Sequence, residues 1–358
     1  MIEIVFAFKG EGRGSCSTAI ETIRASLAEV LIDFYPFAGR LVMGSDGKMA
    51  ATCTGEGVLF VEAMSDDDIG MLGNISVINP GTLRKLVKLS DGAQTMVEEP
   101  LLTVQVTTFK CRGITVGIVM NHVLVDGKAL TDFLTCWSDV ARGRSPSILP
   151  FLDRSVLCPR RPPRVDLPRH EYAPIDRPSE RIIDPQTKPH VYRSFNFEPH
   201  TLIQLKKVST ITTHDGSTIL PTSFEVISAL FDPPLPSGYF GNGIAWSCAE
   251  CSAGELTRKP FLFAVRTVQE VLRCVTESYI RSAINHVELN SVVGNACCIS
   301  KWSRLPFYET DFGFRRPFHV APTSGETDNL VMSLGLPCDA IDVFSELIQS
   351  ELALMNKY

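Results

Sequence analysis

Residues 114–120, Ile114-Thr-Val-Gly-Ile-Val-Met120, make an apolar run of strand length. Beyond it, Ala129, Leu130, Phe133, Leu134, Trp137 and Val140 recur at intervals of three and four, the spacing that lines one face of a helix, with Gly143 as its stop. His122, Asp126 and Gly127 lie in the joint between the two patterns. Upstream, residues 1–9 read as a strand, and Thr18-Ala-Ile-Glu21 as a capping box opening a helix with Ile20, Ile23, Leu27, Val30, Leu31 and Phe34 on its apolar face. Residues 41–43 and 48–53 flank Gly44-Ser-Asp-Gly47, whose residues tolerate positive φ, and predict a hairpin. Residues 58–63 predict a strand, and 101–109 pairs with 114–120 around Lys110-Cys-Arg-Gly113.

The pattern then breaks. Ten of the 23 prolines fall between Pro146 and Pro189, and proline at that density excludes continuous helix or ladder. The stretch predicts a stiff irregular crossover, with the arginines of Pro159-Arg-Arg-Pro-Pro-Arg164 as a solvated face. Patterned segments resume with a strand at 191–197, a helix around Leu202, Ile203 and Leu205, and a short helix opening at Thr222-Ser-Phe-Glu225. A strand at 244–249, one long helix over 261–284 and strands at 295–300 and 329–334 follow. Asp339 caps a last helix with Ala340, Val343, Phe344, Leu347 and Ile348 on one face. Strands and helices mix without a regular βαβ repeat, which predicts an α/β fold of mixed α+β layering. The expected division is an N-terminal domain over 1–145, a crossover over 146–190 and a C-terminal domain over 191–358.

Composition narrows the function classes. At 358 residues, 44% hydrophobic and 21% charged, the chain is globular and long enough for two cores. A net charge of −6 supplies no basic field for nucleic acid. No apolar run reaches the roughly 18 residues of a membrane span, and the start lacks the basic region and cleavage site of a signal peptide. Eleven scattered cysteines form no disulfide framework, and Cys248-Ala-Glu-Cys251 lacks the second ligand pair a zinc site needs. No metal is expected, and reducing cytoplasm is the simplest compartment.

An imidazole at a strand exit is a common mounting for a general base. His-x-x-x-Asp alone is weak, however, because a core histidine ahead of a helix with a dipole-favouring Asp accounts for it equally. The context is more specific. His122-Val-Leu-Val-Asp-Gly127 resembles the HxxxDG motif of the plant BAHD acyltransferases, and Asp311-Phe-Gly-Phe-Arg315 resembles their DFGWG. Tyr35-Pro-Phe-Ala-Gly-Arg-Leu41, Gly238-Tyr-Phe-Gly-Asn242 and Ala253-Gly-Glu-Leu256 resemble further signatures in the family's order, so the likeness runs over nearly the whole chain.

The resemblance implies a two-domain fold like chloramphenicol acetyltransferase, with the active site at the domain interface. It implies His122 as general base, acyl-CoA as co-substrate with no resident cofactor, and an alcohol or amine acceptor. Asp126 would point away from the cleft and pair with an arginine. Ser300 and Trp302 match a wall beside the reacting carbonyl, Thr222 and Ser223 lie near pantetheine contacts, and Tyr239, Gly241 and Asn242 belong to a substrate-side signature. Asp311, Phe312, Gly313 and Phe314 would be structural. Lys206-Lys207 or Arg258-Lys259 could meet CoA phosphates, although solvated lysines are the commoner outcome. The region from Gly254 to Ile284 is similar to transferases that move hydroxycinnamoyl groups to ω-hydroxy fatty acids or fatty alcohols, and a monomer is expected.

Four departures accompany the likeness. Family members carry a further strand and helix before the start of this chain, and a segment near residue 230 that supplies the arginine for the motif Asp. Arg315 replaces a glycine, and residues 318–329 look shortened. Besides an active O-acyltransferase, the sequence therefore leaves open a relative that binds CoA without turnover. A hydrolase is the third reading, though the chain has no Gly-x-Ser-x-Gly elbow.

Overall fold

A computed structural model describes residues 1–10, 15–45, 47–73, 80–89, 99–168, 190–197, 200–201, 203–204, 211–212, 218–219, 235–244, 247, 249, 251–290, 305–321 and 330–355. The chain divides into two compact units. The first comprises Met1–Asp153, Pro236–Asn242 and Trp302–Val331; the second comprises Arg154–Leu235, Gly243–Lys301 and Met332–Tyr358. The first unit thus gathers two stretches, 236–242 and 302–331, that a linear reading places in the C-terminal domain.

The first unit is built on β1 (Ile2–Phe8), β4 (Leu59–Ser65), β5 (Leu102–Phe109), β6 (Ile114–Met120) and β10 (His319–Ala321), in spatial order β10-β1-β6-β5-β4. All neighbours are antiparallel except β4 and β5. The predicted hairpins are present, including β2 (Arg40–Met43) with β3 (Met49–Thr52). One sheet face carries Ile4, Phe6 and Phe8 against α1 (Cys16–Asp33) and α3 (Gly127–Ala141), through Ile23, Leu27, Val30, Phe133 and Trp137. The other face, with Val5, Ala7 and Val119, lies under Leu86 and Val87, just past the short helix α2 (Pro80–Leu83). All seven residues of β6 are buried, which is why its sequence is a near-continuous apolar run, with only Thr115 polar, and not an alternation. Gly117 makes the second layer possible: a Cβ there would lie 2.0 Å from the Leu86 carbonyl oxygen.

Several boundaries differ from expectation. Helix α1 begins before the Thr18 box, because Ser15 is the cap and its side chain accepts the Thr18 N–H at 3.2 Å. The long helix over 261–284 is two helices, α5 (Phe261–Cys274) and α6 (Glu277–Leu289), with the Thr276 side chain capping the second by accepting from Tyr279. Residues 244, 247 and 249 carry no strand. The last helix, α7 (Cys338–Met355), starts at Cys338, so Asp339 lies inside it. Its buried positions include Ile341 and Ser345, while Val343 and Leu347 are 57% and 59% exposed. The helix opening at Thr222 and the strand at 295–300 lie outside the described residues, as do most of the residues around Leu202.

The second unit pairs β7 (His190–Phe197) with β11 (Leu330–Pro337), and Phe195 meets Phe344 of α7 edge-on at 5.4 Å. It also holds α4 (Ala253–Arg258), which has a complete capping box at Ser252, and the small hairpin of β8 (Ile211–Thr212) and β9 (Thr218–Ile219). The proline-rich stretch is irregular as expected up to residue 168, with one 3₁₀ turn at Arg154–Leu157. It is nonetheless tied down. Asn285 of α6 accepts the Arg160 N–H at 2.8 Å and donates to the Arg164 carbonyl at 2.7 Å. Ser282 accepts the N–H groups of Asp166 and Leu167, both at 3.1 Å, and Arg281 donates to the Val156 carbonyl at 2.8 Å. Ser282 and Asn285 are both fully buried, so each satisfies backbone groups that would otherwise be costly to cover. Among the described residues no helix is long and apolar enough to cross a membrane.

Candidate active site

His122 stands half-buried in a tight turn where β6 ends. The turn is closed by its neighbour: the Asn121 side chain accepts the Val123 N–H at 3.0 Å and its carbonyl accepts the Leu124 N–H at 3.1 Å. The Asn121 N–H in turn donates to the Leu101 carbonyl at 2.9 Å, fixing the turn to the start of β5. Asn242 comes from the other side. Its amide Nδ2 donates to the His122 carbonyl at 2.8 Å and lies 3.5 Å from the imidazole Nδ1, at the outer limit of a hydrogen bond. The backbone contact is therefore the one that holds, and Nε2 is the ring nitrogen facing away from Asn242.

The segment carrying Asn242 is itself anchored in the core. Phe240 is buried between Phe34, at 5.5 Å, and Phe37, at 5.1 Å, and its N–H donates to the Phe151 carbonyl at 2.9 Å, while the Phe151 N–H donates to the Gly238 carbonyl at 2.8 Å. Gly238 has φ 74°, and a Cβ there would sit 2.2 Å from the Leu149 carbonyl oxygen, so glycine is required twice over. Gly241 accepts the Asp126 N–H at 3.2 Å. Of the three residues expected on the substrate side, Tyr239 is buried and Gly241 and Asn242 support the His122 loop. The sequence reading missed Phe240 and Asn121. An Asn ahead of a turn is a local signal for the latter, since its side chain readily accepts from the residue two further on. Nothing local marks the former.

Asp126 acts locally: its Oδ1 accepts the Ala129 N–H at 2.9 Å as the N-cap of α3. Such a cap contributes about 1 kcal/mol to a helix, so the motif Asp helps to set the start of α3.

The Asp311 motif meets the other end of α3, a helix of 15 residues and so roughly 22 Å long at 1.5 Å per residue. The Asp311 N–H donates to Ser138 Oγ at 3.1 Å, and its carboxylate accepts the N–H groups of Gly313 and Arg315 at 2.9 and 3.0 Å. Arg142, the C-cap, donates to Asp139 at 2.8 Å and stands 3.9 Å from Asp311. Burial pushes the Asp139 carboxyl up, but its hydrogen bonds to Ser147 and Arg142 outweigh this and hold it below the usual carboxylate range. Phe312 is buried against Trp137 and Phe8. A cavity of about 370 Å³ beside this loop, lined by Phe8, Arg112 and Phe314 among others, sits at the opposite end of β6 from His122.

Arg315 adopts φ 107°, where glycine is at ease and an L side chain is strained by about 1–3 kcal/mol. Arg315→Gly is expected to raise stability by about 1 kcal/mol after the greater unfolded-state freedom of glycine is set against the relief. The measurement is the denaturation midpoint, and an unchanged or lower midpoint would show that Arg315 makes contacts offsetting its strain.

Ser300, Trp302, Thr222, Ser223 and Lys206-Lys207 lie outside the described residues. Lys259 is occupied with Glu255 at 2.7 Å and sits over the Phe263 ring at 3.9 Å. Cys136 on α3 is buried and its thiol is pushed up to about 12, first by burial and then by Asp33 and Asp139, which removes it as a nucleophile.

The sequence model described as "Transferase family" matches residues 1–231 and 231–354, two pieces that meet where a segment was expected to be missing. The omega-hydroxypalmitate O-feruloyl transferase of Arabidopsis thaliana is 36% identical over 393 aligned residues, covering 97% of this chain and 85% of that protein. The fatty alcohol:caffeoyl-CoA acyltransferase of the same plant is 34% identical over 388, covering 97% and 90%. Both alignments exceed the 358 residues of this chain, so these relatives carry internal segments it lacks. The crystal structure of F. graminearum TRI101 complexed with coenzyme A and deoxynivalenol superposes with a TM-score of 0.71 at 14% identity, covering 96% of this chain and 93% of that one, which is a likeness of fold.

Proposed function

Since the chain belongs to the Transferase family, the BAHD acyltransferases, we propose that this acyltransferase moves a hydroxycinnamoyl group from a CoA thioester to the hydroxyl of a long-chain ω-hydroxy acid or fatty alcohol. His122 Nε2 takes the proton of the acceptor hydroxyl as its oxygen attacks the thioester carbonyl carbon. The tetrahedral intermediate then collapses, the carbon–sulfur bond breaks, and the imidazolium returns the proton to the departing thiolate. The products are an ester and free CoA. No acyl-enzyme is involved, because binding both substrates together supplies the proximity.

The observation carrying this reading is likeness over nearly the full chain to two enzymes whose names pair a hydroxycinnamoyl donor with a long-chain acceptor. The turn around His122 supports the assigned base, since backbone bonds from both sides fix it. Purified protein given feruloyl-CoA and ω-hydroxypalmitate is expected to release free thiol, with the ester identified by mass spectrometry. Binding of CoA with no thiol release from either feruloyl- or caffeoyl-CoA would replace this reading with a non-catalytic relative.

A further inference from the structure

We infer that Asn121 is a positioning residue for His122, setting the direction of the imidazole through the turn that it closes. The inference rests on His122 being the base, and adds a residue that does not touch the substrate. Asn121 is 2% exposed. Three bonds of this one residue shape the peptides flanking His122 on the strand side: its N–H donates to the Leu101 carbonyl, its Oδ1 accepts from Val123 N–H, and its carbonyl accepts from Leu124 N–H. An apolar side chain of the same size would leave the Val123 N–H without its acceptor, and the peptide following His122 could rotate. A shift of about 1 Å in a reacting group can cost on the order of a hundredfold in rate. Asn242 holds only the oxygen end of that peptide, through the His122 carbonyl at 2.8 Å, so losing the Asn121 acceptor at the N–H end leaves one of two restraints.

Three variants read this out. Asn121→Ala is expected to lower kcat about 10- to 100-fold with KM for donor and acceptor changed less than about threefold, since substrate contacts are untouched. Asn121→Asp keeps an oxygen acceptor for Val123 N–H and is expected to recover most of the rate. It also sets a carboxylate on the residue preceding His122, and negative charge that close in the chain favours imidazolium, so the acid limb of the kcat/KM profile moves to higher pH. A residue that only supports the fold would lower the melting temperature in both variants and leave that limb in place. A second measurement is independent of turnover. The His122 ring resonance, assigned by its loss in His122→Ala, should titrate at higher pH in Asn121→Asp than in the unsubstituted chain. It should also change chemical shift in Asn121→Ala. Unchanged kcat in Asn121→Ala, or identical ring titration in the Asp variant and the unsubstituted protein, overturns the inference. Activity surviving in His122→Ala overturns the reading beneath it, and the ring titration tells the two failures apart.

Discussion

His122→Ala is expected to reduce CoA release from feruloyl-CoA by about 10²- to 10⁴-fold, the range that a positioned general base usually supplies. The fold should not change. The imidazole is half-buried, and the strong contact at this position, from Asn242 at 2.8 Å, goes to the backbone carbonyl that alanine retains. Binding should also be little altered, so the loss belongs in kcat and not in KM. The pair of measurements is the initial rate of thiol release and the unfolding midpoint of the same preparation. A rate within about threefold of the unsubstituted chain would dismiss His122 as the base.

The largest effect on stability is expected from Phe312→Ala. The ring is 0% exposed and lies 4.7 Å from Trp137, 6.0 Å from Phe8 and 6.2 Å from Phe314. Trp137 in turn donates its indole N–H to Ser26 Oγ at 2.9 Å, which couples α3 to α1. Removing the ring therefore opens a cavity where two helices and β1 converge, at a cost of about 3–5 kcal/mol. That is a large share of the stability of an ordinary domain, so the variant should unfold at much lower denaturant with the slope unchanged. Activity should fall in proportion to the folded fraction, because the ring is at the far end of α3 from the chemistry. A change below about 1 kcal/mol would mean that the motif loop contributes little to the core.

Which parts of this architecture could be read in advance follows from the range of the interactions that create them. Strand β6 and helix α3 are specified locally, by an apolar run and by a three-and-four repeat behind a capping Asp, and both lie where expected. At α1, two candidate caps stand three residues apart. Glu21 favoured Thr18 on paper, yet Ser15 caps the helix without an acidic partner. The apolar spacing of Leu272, Val275 and Ile280 runs straight through the break between α5 and α6, leaving Thr276 as its sole local sign. Strand β10 is three residues long between prolines and is defined by pairing with β1, more than three hundred positions away in sequence. The site divides in the same way. His122 and Asp126 are visible in one hexapeptide, whereas Phe240 and the grip of Asn242 depend on contacts across more than a hundred residues.

The ties from α6 to the proline-rich stretch give that stretch a character its composition conceals. Its amides at Arg160, Asp166 and Leu167 and its carbonyls at Val156 and Arg164 already have side-chain partners on one helix. A protease must draw its substrate into an extended strand and supply those same hydrogen bonds itself. The peptide bonds beside Arg160 and Arg164, basic and exposed in side chain, are thereby poor cleavage sites while α6 stays folded. Their susceptibility becomes a reporter of that helix, and sequence drift at Ser282 or Asn285 would expose a cut site more than a hundred residues upstream.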